Sequence, residues 1–102
     1  MSAEAIASTV WGARHALTRA MRDADRDDLV DHVALAVESL DAWLALLQCE
    51  PPASPEAFDH AGQVPIAQIM ALQFHALDRE TSDAVRDVLW ILRHVHAAGV
   101  AQ

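Results

Sequence analysis

Acid and imidazole stand one helical turn apart twice in this chain, as Asp28 with His32 and as Glu56 with His60. Residues four apart share a helix face, so each pair could offer two donors to Zn²⁺ or a similar ion. A metal centre needs at least three protein donors and a supporting shell of hydrogen bonds. An acid one turn before a histidine is also an ordinary surface pair, and we expect no metal and no other cofactor. His94 and His96 stand two apart, which on a helix turns them roughly 160° from each other, so they cannot chelate one ion together. His96 lies beside an apolar stripe and reads as a structural histidine.

Nucleophilic chemistry has candidate atoms in Cys49, Ser39 and the histidines, but no spacing joins them. There is no nucleophile elbow, no Gly-rich phosphate loop and no paired-cysteine motif. Cys49 falls near a helix C-terminus beside Glu50, an environment that disfavours the thiolate, and reads as a small apolar filler. The expectation is a protein that is not an enzyme.

The three tryptophans point elsewhere. Trp11 projects roughly 120° from the inward stripe of its helix, beside Arg14 and His15, and Trp90 stands off its stripe between Arg86 and Arg93. Trp43 belongs to a second line, His32, Leu35, Ser39, Trp43 and Leu46, distinct from the line Val30, Val33, Val37, Leu40, Leu44 and Leu47 taken as facing the core. Tryptophan and arginine dominate binding hot spots, and large exposed aromatics are costly unless something covers them. Trp11, Leu35, Trp43, Leu46, Arg86, Trp90 and Arg93 are therefore the candidate interface, with homodimerisation as its commonest use. The bland alternative is cover by neighbouring elements or by arginine stems.

A second surface is acidic. Asp23, Asp25, Asp27, Asp28 and Asp31 cluster around one turn, interrupted by Arg22 and Arg26, with Glu38 further along the same face. Such a row could imitate phosphates and block a nucleic-acid-binding protein, although charge runs are usually solvated turns. A formal charge of -8 opposes direct binding of nucleic acid, which needs clustered cations.

These side chains must be positioned by helices. The chain has 21 alanines, 3 glycines and no tyrosine, a composition that offers little for a sheet. Residues 1–102 read as a single domain. A lone cysteine excludes an internal disulfide and suits a reducing cytoplasm, and the N-terminus lacks the basic start of a secretory signal. No apolar run reaches the roughly 18 residues of a membrane span, and basic residues that are all arginine suggest a GC-rich bacterial coding sequence.

The first helix is expected from Ala3 to Arg22 with Ser2 as cap and Ile6, Val10, Ala13, Leu17, Ala20 and Met21 inward. The Asp23–Asp28 segment turns the chain into an antiparallel second helix, Asp27 to Gln48, closed by Pro51 and Pro52. A short helix from Pro55 should stop at Gly62, and Pro65 should begin another carrying Ile66, Ile69, Met70 and Leu77, with Phe74 on its flank and Gln73 either a buried amide or near the edge. Thr81 or Ser82 should cap a last helix, Asp83 to about Ala98, ended by Gly99, unless it continues the preceding one as a bent rod.

The expected architecture is all-α, a small antiparallel bundle of three long helices plus a short one, homodimeric through the second helix and the tryptophan-bearing surface. The expected function is a cytoplasmic regulatory adaptor or antagonist that binds another protein, with acidic mimicry as the alternative and a metal-binding helical protein, through Asp28 and His32, behind it.

Overall fold

In the computed structural model, which describes residues 2–49 and 53–100, the Ser2 hydroxyl accepts the backbone N–H of Ala5 at 3.1 Å and opens helix α1, Ala3–Ala24. Asp25 closes it in the left-handed region (φ 52°), its N–H donating to the carbonyl of Arg22. A 3₁₀ turn, Asp27–Leu29, leads into α2, Val30–Leu47. Helix α3, Pro55–Leu72, is capped by Ser54, and α4 spans Arg79–Val100. Short connections make each helix antiparallel to the one before it. The helices form a ring in which α1 and α3 each pack on both α2 and α4. No helix is long and apolar enough to cross a membrane among the described residues.

The inward faces of α1 and α4 are those the spacing predicts, Ile6, Val10, Ala13, Leu17 and Met21 on one and Val85, Val88, Leu89, Leu92 and Val95 on the other, except that Ala20 is only half-buried. Helix α2 is rotated relative to expectation. Its buried residues are Ala36, Leu40, Trp43 and Leu44, whereas Val30 is exposed and Val33, Val37 and Leu47 are only half-buried. The cause is its position between α1 and α3, which covers part of the second line as well as the first. Trp43 is fully buried, so its assignment to an interface is corrected: it is the largest fully buried side chain of the core.

The expected break at Gly62 and Pro65 does not occur, and α3 runs through both. Pro65 has no N–H to return to the carbonyl of Ala61, but its ring is fully buried, and packing overrides the local preference. Gly62 serves as a notch instead of a stop. A Cβ there would stand 2.5 Å from Cδ2 of His96 and 2.9 Å from Cζ2 of Trp43. Gly99 likewise lies inside α4, with the Phe58 ring filling the space its side chain would need. Phe58, Trp43 and His96 thus interlock α3, α2 and α4, with ring centroids 5.4 Å apart for Trp43–Phe58 and 6.0 Å for Trp43–His96.

Residues 73–78 separate α3 from α4, so the two are not one rod. Gln73 is exposed, and the half-buried amide of this region is Gln68, which pairs with Ser39 of α2 at 2.7 Å. Cys49 is exposed beyond the end of α2 and fills no core space. Helix α2 stops at Leu47 with Gln48 as its cap, ahead of the two prolines as expected; Glu50, Pro51 and Pro52 themselves lie outside the described residues.

Arg26 ties together two turns at one end of the bundle. Its Nε and Nη2 donate to the Asp28 carboxylate at 2.9 and 2.8 Å, and its Nη1 donates to the carbonyl of Ala76 at 2.5 Å. The hydrogen-bonded guanidinium holds the Asp28 carboxyl below its ordinary range. Asp78, which caps α4, is also lowered, first by the backbone N–H of Thr81 at 2.7 Å and then by the Thr81 side chain. Both carboxyls bind protons less readily folded than unfolded, so the unfolded chain takes up more protons as pH falls. Their stabilisation is complete above the ordinary value of 3.8 and disappears as pH falls through the lower folded values. Thermal melts should therefore fall below pH 3.8, and an Asp28→Asn, Asp78→Asn chain should lose less on acidification; an equal acid slope would contradict this origin.

Candidate functional site

The residues assigned to one tryptophan surface are distributed over three environments. Trp43 is in the core. Trp11 is 55% exposed and walls a groove between α1 and α2 with Ala7, Leu44 and Ala45. The Arg14 guanidinium lies 5.0 Å from the Trp11 ring centroid and is bonded through Nε to Asp41 at 2.7 Å, so cation and ring already have partners within the chain. Leu35 is exposed on α2, and Leu46 is half-buried on the same helix.

Trp90 is 66% exposed and stands on the opposite side of the bundle, in a shallow groove of ≈ 340 Å³ between α3 and α4. Its ring stacks on His94, one turn further along α4, with centroids 5.0 Å apart and planes at 14°. Leu89 forms the floor of the groove, and Gln73, the residue that ends α3, its far wall. Arg86 and Arg93 rim it. Arg86 is paired with Asp83, whereas Arg93 reaches back to the sulfur of Met70 at 2.8 Å and has no carboxylate partner among the described residues. Neither α3 after Asp59 nor α4 after Asp87 carries a carboxylate. In a chain of charge -8, this side therefore combines a large exposed aromatic with a cation that no carboxylate neutralises among the described residues. The 3.6-residue period of α4 produces the arrangement: Val85, Val88, Leu92 and Val95 turn inward, which leaves Arg86, Trp90, Arg93 and His94 outward.

The acidic residues occupy the other side. Asp25, Asp27, Asp28 and Asp31 are exposed around the start of α2, with Asp28 engaged by Arg26, and Glu38 is exposed near the middle of that helix. His32 packs edge-on against His75 at 5.0 Å, which brings a second imidazole near the Asp28–His32 pair. Among the described residues, no three His, Cys, Asp or Glu side chains converge as a metal set. His96 is half-buried and bonded through Nε2 to the Asp59 carboxylate at 2.8 Å, with its ring stacked on Phe58.

Sequence reasoning missed Phe74 as a surface feature. At 89% exposed it is the most exposed large apolar side chain described, and the available signal was its place in an uncharged run from His60 to Leu77. No family model, curated protein or solved structure matches this chain.

Proposed function

We propose that the protein is a non-enzymatic helical docking module, a regulatory adaptor or antagonist that holds another protein in the α3/α4 groove. Trp90 is the apolar anchor, and Arg93 with Arg86 forms the polar rim. The observation that carries this reading is the two-thirds exposure of Trp90 beside an arginine with no carboxylate partner among the described residues. A tryptophan completing its burial against a partner contributes about 2–4 kcal/mol, the range of an interface hot spot. Acidic mimicry has less behind it, because Arg26 sits within the cluster and engages Asp28.

The groove makes a paired prediction. Trp90→Ala should weaken recovery of a co-purifying partner at least about thirtyfold while leaving the urea midpoint unchanged. Trp11→Ala should leave recovery intact, since that ring is engaged by Arg14. Equal losses from both substitutions, or loss only from Trp11→Ala, would place docking on a different face.

A further inference from the structure

Helix α3 carries a second stripe on the side away from the core. His60, Val64, Ala67, Ala71 and Phe74 alternate four and three apart and are all exposed, the spacing of a seam between two helices. Phe74 follows the last turn of α3 and stays on the helical path, its N–H donating to the carbonyl of Ala71 at 3.2 Å. No Asp, Glu, Arg or Lys occurs from His60 to Leu77, the longest uncharged run in a chain with 15 acidic and 7 basic residues. A polar face would be expected there if water were its only neighbour.

We propose that a second copy of this chain occupies the stripe, α3 packing antiparallel on the α3 of its twin about a twofold axis through Ala67. Charge argues for that occupant. Two chains of -8 repel across any face bearing carboxylates, and this stripe has none. Shape argues for the register. Ala67 is midway between His60 and Phe74, so a twofold axis there opposes methyl to methyl at the closest approach and sets each Phe74 ring over the His60 of the other copy. Such an isologous contact closes on itself and yields a dimer instead of a chain of subunits. From His60 to Phe74 the stripe extends about 21 Å at ~1.5 Å per residue, about half the 41 Å length of the molecule. The seam thus moves self-association from α2 to α3, and it shares no residue with the Trp90 groove, so either surface can fail without the other.

Light scattering on a size-exclusion column, over loadings up to millimolar, tests the proposal. The wild-type chain should have twice its 11.1 kDa mass. Ala67→Glu should dissociate at least about a hundredfold more readily, because it places two carboxylates at the desolvated centre. Ala67 is exposed, so the variant's circular dichroism and melting should remain those of a folded bundle, and Ala71→Glu provides a second disruption should the first unfold. Mixing Ala67→Glu with Ala67→Arg should restore the dimer, since the axis brings those two side chains together. A wild-type monomer at every loading would overturn the proposal. A dimer unaffected by both glutamates would also overturn it, and failure of the charge-swapped mixture would overturn the register.

Discussion

Truncating Trp43 to alanine should lower the free energy of unfolding by about 3–5 kcal/mol, measured as a shift of the urea transition. Its indole is fully buried among Phe58 and the Gly62 notch of α3 and His96 of α4, and none of these can collapse far enough to refill the space. Against a total stability of about 5–15 kcal/mol, that is a large share. The indole Nε1 is buried and has no hydrogen-bond partner among the described residues, a deficit of about 1–3 kcal/mol relative to a satisfied donor. Trp43→Phe removes that deficit along with some packing, so it should come within about 1 kcal/mol of the wild type. A loss below about 1 kcal/mol for Trp43→Ala would mean the ring is not a core residue at all.

Two glycine-to-alanine changes should have opposite signs. At Gly62 the added methyl would press on His96 and Trp43 at 2.5 and 2.9 Å. Overpacking of this kind costs about 1–3 kcal/mol, more than the helix propensity gain of up to about 1 kcal/mol. At Gly12 no atom of another described element lies within 4 Å of the new Cβ, and the propensity gain should appear as about 0.5–1 kcal/mol of added stability. Urea titration of both variants decides the matter. Stabilisation by Gly62→Ala would show that the notch is not a tight contact.

The contrast between those glycines explains which parts of the fold could be read from the residues. Helices α1 and α4 have single narrow stripes, so the 3.6-residue period alone identifies Val10, Leu17, Val85 and Leu92 as core. Helix α2 is apolar around much of its circumference, and periodicity could not choose between the line of Leu40 and that of Trp43. The choice depends on α1 and α3 flanking it. Gly62, Pro65 and Gly99 are read locally as helix breakers, yet each lies in a helix at a tightly packed point, where the absence of a side chain or an N–H matters less than the rings of Trp43, His96 and Phe58. Exposure of Trp11 and Trp90 follows from their angle to the core stripe. That they lie on opposite sides, one already held by Arg14 and Asp41, depends on the order of helices in the ring and is invisible to spacing within one helix. The uncharged run through α3 was present in the residues throughout. Its meaning depended on knowing that α3 is continuous and that His60, Val64, Ala67 and Ala71 face outward.

The docking role of the α3/α4 groove is tested most directly by position-specific photo-crosslinking in the cells that produce the protein, with the reactive side chain placed at Gln73 on the groove wall, at Trp11 or at Glu38. A partner protein should be captured from position 73 and not from position 38 on the acidic face, and the adduct should vanish when Trp90 is changed to alanine or Arg93 to glutamate. Capture from position 38 or position 11 in preference to position 73, or from none of the three, would contradict the assignment of Trp90 and Arg93 as the docking surface.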